Sequence, residues 1–353
     1  MMPTNFPKLN EREEQILEAV VHLYITTAEP VGSRTVAKRL GLQLSPATIR
    51  NVMADLEEMG YLTQVHTSSG RVPTDLGYKY YVTKLMKVQE LTLAERQRIE
   101  QELSRKLDTA EQILKRTSQL LALTTHQAGL AELPNEKSAV VRRIDLIQLG
   151  EKQIAVVIVD NFAGVHSSMF AFEEPISPHI IEPLNKFLNE TLFNVSLDRI
   201  GLVLKENLKK FFDERRKMLE IAFKILSRIE PTTSQMILEG ANNLFDQPEF
   251  QEPTKIKSIF GIMDDPTPLT RALRESLAKS ENQRQTVLIG SEANIKNSEE
   301  FSIIASPYML ENEKTPIGFV GVLGPKRMPY DKLSAMVDFT ASMVGKILSR
   351  LGL

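Results

Sequence analysis

Residues 44–62 have the sequence LSPATIRNVMADLEEMGYL, and this stretch decides the fold of the first part of the chain. Ser45 is a preferred N-cap residue, Pro46 suits the first helical position, and Gly60 suits the residue after the last turn. Apolar side chains recur at helical spacing along one flank of the predicted helix, namely at Ile49, Val52, Met53, Leu56 and Met59. The stretch therefore predicts a short capped helix with one buried flank.

The opposite flank of this helix has the side chains of a base-reading surface. Arg pairs bidentately with guanine, Asn pairs with adenine, and small alanines let a helix approach the groove floor. The candidate base-reading residues are Ser45, Ala47, Thr48, Arg50, Asn51 and Ala54. The same residues also fit an ordinary solvated helix face, because Arg and Asn are common on protein surfaces.

Two further helices are predicted before this one. Asn10 and Glu13 form a capping-box pattern at the start of a helix that ends near Pro30. Ser33 is expected to cap a second, short helix, which ends at Gly41. Three short helices in succession are typical of a helix-turn-helix domain.

A hairpin is predicted directly after the third helix. Residues 61–65 and 71–73 read as strands, and the intervening HTSSG reads as a polar turn. Residues 31–54 contain four basic residues and no acidic one, which is the charge segregation that a phosphate-facing surface needs. The candidate phosphate and wing contacts are Arg34, Lys38, Arg39, His66, Ser68, Ser69 and Arg71. Together the helices and the hairpin predict a winged helix-turn-helix DNA-binding domain over residues 1–88.

The whole chain has 353 residues, a net charge of −2, 42% hydrophobic residues and no cysteine. This length predicts two or three domains, and the composition is that of a soluble globular protein. The absence of cysteine excludes disulfides, thiolate metal sites and cysteine nucleophiles. An export signal is not indicated, and the longest apolar run, residues 154–159, is too short to span a membrane.

Enzyme motifs are absent from the sequence. The histidines are scattered without metal-ligand spacing, and neither a P-loop nor a Gly-x-Ser-x-Gly motif occurs. Gly318, Gly321 and Gly324, followed by Lys326 and Arg327, also fit an anion site, although such glycines more often mark bulges or tight turns. We therefore expect no enzymatic activity, no metal and no cofactor.

The rest of the chain predicts an α+β domain that is interrupted. The predicted elements are a helix at 92–126, strands within 140–172, helices within about 177–232, strands at 286–290, 301–305 and 316–323, and a final helix at 330–351. We interpret residues 89–174 as the first part of this domain, with a linker helix, and residues 251–353 as its second part. A mainly helical insert, residues 175–250, separates the two parts.

Several segments resemble the HrcA family of heat-inducible transcription repressors. In the N-terminal part they are LNEREEQILEAVV (9–21), EPVGS (29–33), residues 44–62 as quoted above, and TSSGRVPTDLGYKYY (67–81). In the C-terminal part they are LEGANNL (238–244), PEF (248–250), IGSE (289–292) and IGFVGVLGPKRMPY (317–330). The resemblance extends over nearly the whole chain.

This resemblance implies a three-part architecture and a repressor function. The three parts are the winged helix, a GAF-like domain, and a dimerisation domain inserted into the GAF-like domain. The implied protein is a homodimer of the bacterial cytoplasm, associated with the nucleoid when bound to DNA and without a membrane partner. It binds an inverted-repeat operator, called CIRCE, ahead of chaperone operons of the groE and dnaK type, is released on heat stress, and needs a GroEL-type chaperonin as co-regulator.

The residues also allow other interpretations of the function. The winged helix also fits an interaction module of a ligand-sensing or enzymatic protein, and basic winged helices also bind RNA. In the insert, Phe211, Phe212, Met218 and Phe223 fit a dimer interface and internal helix packing equally well. Loss of a chaperonin and unfolding of the repressor are both compatible with the sequence as ways to sense heat.

Overall fold

The N-terminal part of the protein consists of three helices and a two-stranded hairpin. The computed structural model describes residues 6–41, 44–65, 70–104, 107, 109–134, 139–172, 174–208, 236–250, 253–279, 285–293, 299–311, 313 and 315–351. The elements are α1 (Glu11–Thr27), α2 (Ser33–Leu40), α3 (Pro46–Glu58), β1 (Leu62–Gln64) and β2 (Arg71–Pro73). The predicted winged helix-turn-helix fold is confirmed.

Local sequence signals account for most of these helix ends. The Asn10 side chain accepts from the Glu13 N–H at 3.0 Å, and the Glu13 carboxylate accepts from the Asn10 N–H at 2.7 Å. Gly41 ends α2 in the left-handed region, with φ 58°. The expected cap of α2 is wrong: its N-cap is Gly32, and Ser33 is the first helical residue, buried against the core.

Three helices and a π-helical turn lead from the hairpin into the C-terminal half. Helix α4 (Asp75–Tyr80) continues into a π-helical turn (Tyr81–Leu85) and is followed by α5 (Leu93–Leu103) and α6 (Ala110–Thr125). The prediction of one helix over residues 92–126 is wrong at its centre. Ser104 ends α5, and Thr109 begins α6 by accepting from the Gln112 N–H at 3.2 Å, so an internal N-cap divides the apolar stripe.

The remaining strands form two separate sheets. They are β3 (Ala128–Glu132), β4 (Val141–Gly150), β5 (Gln153–Asp160), β6 (Val165–Ala171), β7 (Met236–Glu239), β8 (Thr286–Ile289), β9 (Phe301–Tyr308) and β10 (Gly318–Pro325). Among the described residues, one sheet has five antiparallel strands in the order β7-β3-β10-β9-β8. The other sheet has three antiparallel strands in the order β4-β5-β6.

Helices cover both faces of the five-stranded sheet. The remaining helices are α7 (Pro178–Leu192), α8 (Ile200–Leu208), α9 (Asn242–Phe245), α10 (Pro253–Asp264), α11 (Thr267–Lys279) and α12 (Tyr330–Arg350). On one face, α6 and α12 pack in the same apolar core as the winged helix. On the other face, α9, α10 and α11 form a second core. This layered α+β arrangement is consistent with a GAF-like domain.

The three-stranded sheet belongs to an inserted unit. Its inward side chains, such as Ile144, Val156 and Ile158, pack with Leu184 and Leu188 of α7 in a third core. The chain leaves the five-stranded sheet after β3 and returns to it at β7. The insert was expected to begin near residue 175, whereas the three-stranded sheet that precedes this position already belongs to it. The alternation of apolar and polar residues detects strands but does not show which sheet they join.

The last helix confirms the final predicted element. Helix α12 covers Tyr330–Arg350, where residues 330–351 were expected, and packs on β9 and β10. None of the helices in the described part of the chain is long and apolar enough to cross a membrane.

Candidate nucleic-acid interface

Helix α3 is held in the winged helix by its buried flank. Ile49 and Leu56 are fully buried, and Met53 is buried with them in the common core. At the amino end, the Ser45 hydroxyl accepts from the Thr48 N–H at 3.1 Å, and the two hydroxyls lie 2.9 Å apart. Both side chains therefore serve the N-cap, which sets the direction of the first turn.

The outward flank of α3 is open to solvent. Ala47, Arg50 and Asn51 are exposed, and Ala54 is half-buried next to them on the same flank. The N–H groups of the first turn lie at the positive end of the helix dipole, which favours a phosphate. The structure thus brings the predicted base-reading side chains together on one exposed face.

Helix α2 packs against α3 and adds positive charge. Val36 is buried in the core and fixes the inward side of α2. Arg34, Lys38 and Arg39 are exposed on the outward side. Long cationic side chains in this position can reach the phosphates that flank a base-reading helix.

The hairpin is tied to the loop before α2. Thr63 pairs with Val72 in the β1–β2 register, and the backbone of Arg71 exchanges two 2.9 Å hydrogen bonds with Val31. A Cβ on Gly70 would lie 2.4 Å from the Val31 carbonyl oxygen, so this close approach requires glycine. The base of the wing is therefore fixed by backbone contacts on both sides.

Arg71 itself is engaged inside the domain. Its Nε donates to the Glu57 carboxylate at 2.8 Å, and only 15% of the Arg71 side chain is exposed. Glu57 lies near the end of α3, so the ion pair joins α3 to the wing. The sequence predicts a phosphate contact for Arg71, and the structure adds an ion pair with Glu57. Sequence reasoning missed Glu57 because no local motif pairs residues 14 positions apart.

Two tyrosines, Tyr61 and Tyr80, hold the N-terminal segment on the core of the winged helix, and no sequence motif indicated them. The Tyr61 hydroxyl donates to the Pro7 carbonyl oxygen at 2.7 Å, and the Tyr80 hydroxyl donates to the Glu14 carboxylate at 2.6 Å. Burial raises the pKa of both hydroxyls, and the Glu14 carboxylate raises that of Tyr80 further. Both groups therefore remain neutral donors that hold the N-terminal segment on the core.

The family profiles that match this chain agree with this geometry. Residues 8–87 match the profile described as winged helix-turn-helix transcription repressor, HrcA DNA-binding. Residues 111–333 match the profile described as HrcA protein C terminal domain. The chain belongs to the HrcA family. Its winged helix is a DNA-binding domain, and its role is that of a heat-inducible transcription repressor, which is not enzymatic.

Relatives of similar length support this membership. The heat-inducible transcription repressor HrcA of Pelotomaculum thermopropionicum is 36% identical over 347 residues, 98% of each chain. The HrcA repressor of Geobacter sulfurreducens is 36% identical over 341 residues, 96% of this chain and 98% of the relative. A crystal structure described as a hypothetical protein is 26% identical, with a TM-score of 0.63, and covers 98% of this chain and 100% of that one.

In this HrcA-family chain, the glycines of β10 make room for protein atoms. A Cβ on Gly321 would lie 2.4 Å from the Ile304 carbonyl oxygen of the neighbouring strand. The adjacent Lys326 and Arg327 both take part in ion pairs within the protein. Close packing accounts for the glycines, and the ion pairs already engage Lys326 and Arg327. The geometry therefore does not favour an anion site there.

Some predicted residues lie outside the described part of this HrcA-family chain. They are the wing residues His66, Ser68 and Ser69 and the dimer candidates Phe211, Phe212, Met218 and Phe223. Among the described residues, no cluster of three or more His, Asp or Glu side chains is placed to hold a metal ion.

Proposed function

We propose that this chain is a dimeric, sequence-specific repressor of heat-shock chaperone operons of the groE and dnaK type. Its operator is an inverted-repeat CIRCE element, and heat stress releases it. The main support for DNA reading is the exposed face of α3 with Arg50 and Asn51, which lies next to the cations of α2. The protein acts in the bacterial cytoplasm, at the nucleoid when bound, with a GroEL-type chaperonin as co-regulator.

The proposed contacts divide into three kinds. Arg50 and Asn51 read base edges, and Ala47 and Ala54 allow the close approach of α3 to the groove. Arg34, Lys38 and Arg39 contact phosphates, as do the wing residues His66, Ser68 and Ser69. Ser45 and Thr48 orient the first turn of α3, and Arg71 positions the wing through Glu57.

The inserted unit offers a surface for the proposed homodimer. One face of its three-stranded sheet packs on α7 and α8, and the other face carries exposed apolar side chains. Ile147, Ala155 and Met169 lie in one cross-strand row of that open face, and Val159 pairs with Val165 in another. Exposed apolar patches of this kind mark association surfaces, and a second copy would place two α3 helices on the two halves of an inverted repeat. We propose the inserted unit as the dimerisation domain, together with the candidates Phe211, Phe212, Met218 and Phe223.

A competition experiment tests DNA reading. The full chain is titrated at fixed salt with labelled operator duplex against random duplex and against RNA of the same length. Preference for the operator supports the proposal, preference for RNA replaces it by RNA binding, and no salt-dependent binding leaves the winged helix as an interaction module.

One variant sharpens the assignment of the reading face. Arg50→Ala is expected to lower operator affinity by about 1 to 3 kcal/mol and to relax the preference at one operator position. Arg271→Ala, at an exposed position on α11, is the matched control and is expected to bind like the unaltered protein. Equal losses on every operator variant would contradict a base contact for Arg50.

The heat response needs a separate comparison. Operator binding is measured against temperature with and without added chaperonin, alongside the unfolding transition of the free protein. Repression that depends on chaperonin well below the unfolding transition supports the co-regulator. Loss of binding that coincides with unfolding, whatever the chaperonin concentration, supports intrinsic heat sensing.

A further inference from the structure

The winged helix is joined to the C-terminal half by two ion pairs that start from one short helix. Asp75 and Lys79 lie four residues apart on α4, so they share one face of that helix. Lys326 Nζ lies 2.8 Å from Asp75 Oδ1, and Lys79 Nζ lies 2.8 Å from Glu292 Oε2. We call these four residues the docking clamp.

The order of charges in the docking clamp specifies one orientation. Asp75 of α4 faces Lys326, and Lys79 of α4 faces Glu292. If α4 ran in the opposite direction, the two acids would meet each other and so would the two bases. All four side chains are at least three-quarters buried, which limits screening by salt. The clamp therefore selects a single docking register for the helix.

Backbone contacts on the C-terminal side shape this register further. Lys79 Nζ also donates to the Val287 carbonyl oxygen at 2.8 Å, which anchors it to β8. A Cβ on Gly290 would lie 2.1 Å from Asp75 Oδ2, so a larger residue there would displace the Asp75 carboxylate from its place beside Lys326. Gly290 also has φ 56°, in the left-handed region. The site that receives α4 is thus formed by backbone as well as by charge.

Helix α4 is rigidly connected to the rest of the winged helix. The Thr74 side chain caps α4 by accepting from the Gly77 N–H at 3.1 Å and donates to the Gly60 carbonyl oxygen at 2.6 Å. A Cβ on Gly77 would lie 2.2 Å from the Tyr61 carbonyl oxygen, so α4 lies directly against the segment that follows α3. An orientation imposed on α4 is therefore passed on to the recognition helix.

We infer that the docking clamp sets the orientation of α3 relative to the C-terminal half and thereby determines which spacing of operator half-sites the protein accepts. This inference rests on the proposed two-site operator. In a symmetric dimer, the separation and relative rotation of the two reading helices follow from how each winged helix is docked on its own chain. Asp75, Lys79, Glu292 and Lys326 are then positioning residues for spacing specificity, with no contact to DNA of their own.

The test is a spacer series with charge-reversed variants of the full chain. Duplexes carry the inverted half-sites at the natural spacing and with insertions or deletions up to half a helical turn, about five base pairs. Binding is measured by fluorescence anisotropy at fixed salt for the unaltered protein, Lys79→Glu, Glu292→Lys and the double swap. Lys87→Glu, at an exposed position near the end of the winged-helix domain, is the control for the same change of charge.

We expect the unaltered protein and Lys87→Glu to prefer one spacing by about tenfold or more over the half-turn change. Each single reversal is expected to flatten this profile to about threefold, and the double swap is expected to restore it in part, because the swap rebuilds the ion pair with its charges exchanged but loses the hydrogen bond to the Val287 carbonyl oxygen. Single reversals that keep the original profile would overturn the inference, and so would a double swap that stays flat while its thermal unfolding is normal. Failure of the unaltered protein to prefer operator over random duplex would instead remove the proposed function.

A distance measurement separates orientation from any loss of folding. The chain contains no cysteine, so labels can be introduced at two chosen positions without removing native thiols. Spin labels at Glu18→Cys on α1 and Ser342→Cys on α12, both exposed, report the distance between the two halves in samples diluted with unlabelled protein. The inference requires a narrow distance distribution in the unaltered protein, which broadens in Lys79→Glu and narrows again in the double swap. A distance distribution that stays narrow in Lys79→Glu would contradict it.

Discussion

The ion pair between Arg71 and Glu57 gives a prediction that separates a positioning role from a phosphate contact. Arg71→Gln removes a charged hydrogen bond of 2.8 Å and leaves a carboxylate that is 33% exposed. Hydrogen bonds to charged groups contribute about 1.5–3 kcal/mol, and exposed ion pairs contribute about 0.2–1 kcal/mol. Because this pair lies between those limits, we expect the free energy of unfolding to fall by about 1–2 kcal/mol.

The assay combines urea unfolding with operator titrations over a series of salt concentrations. Arg71→Gln is expected to keep the slope of log affinity against log salt. In the unaltered protein the Arg71 guanidinium is held by Glu57, so its loss removes no phosphate contact. Arg39→Gln, at an exposed position on α2, is expected to lower the magnitude of that slope by about 0.9 and to change stability by less than about 0.5 kcal/mol. Glu57→Gln should destabilise like Arg71→Gln, and the double variant should lose less than the sum of the two.

The opposite pattern would refute the positioning role. A slope reduced by about 0.9 in Arg71→Gln, with an unchanged free energy of unfolding, is the signature of a lost phosphate contact. Additive effects of the two single substitutions would likewise show that the ion pair does not couple α3 to the wing.

Three more predictions follow from buried or exposed single positions. Gly77→Ala is expected to destabilise by about 2 kcal/mol or more in urea unfolding, because the new Cβ meets the Tyr61 carbonyl oxygen, whereas helix propensity alone predicts a gain of about 1 kcal/mol. Burial raises the pKa of Glu132 to about 7, although Arg274 Nε donates to its carboxylate at 2.6 Å. The protonated Glu132 side chain therefore contributes to stability at acidic pH, and this contribution is lost as the pH rises through about 7. The stability of Glu132→Gln relative to the unaltered protein should therefore increase by about 3 kcal/mol between pH 4.5 and 8, and a difference independent of pH would show the pKa to be normal. Met169→Glu, at a position 79% exposed on the open sheet face, should give monomers in sedimentation, whereas Leu93→Glu, at a position 71% exposed on α5, should not.

Much of the winged helix follows from local sequence signals. Caps at Asn10 and Ser45, the left-handed Gly41 and the apolar flank of α3 each act within one or two helical turns, and the structure has all of them where the pattern predicts them. The solvent-facing position of Arg50 follows from the same periodicity. Local physics is sufficient here because each helix contributes one stripe to a small common core.

Features that depend on distant residues were not predictable in the same way. The apolar stripe after Thr92 predicts one helix, since periodicity continues across the break that the Thr109 cap introduces. The strands of residues 141–171 were recognised, but strand patterning carries no information about their partner sheet. The pairing of Lys79 with Glu292 spans 213 residues, so only the folded chain reveals it.

Contacts between the winged helix and the C-terminal half are made by α4 and the end of α1, and the exposed face of α3 takes no part in those described here. Lys79 and Asp75 of α4 pair with the C-terminal half, and the Ile25 carbonyl oxygen of α1 accepts from Arg327 at 3.4 Å. Docking through α3 would instead bury the Arg50 guanidinium, at a high cost in desolvation unless an acid were placed to meet it. Because these docking contacts and the proposed DNA-reading face of α3 lie on different surfaces, docking leaves that face free. Under the proposed function, any effect of this docking on repression therefore acts through the orientation of α3 and not through its accessibility.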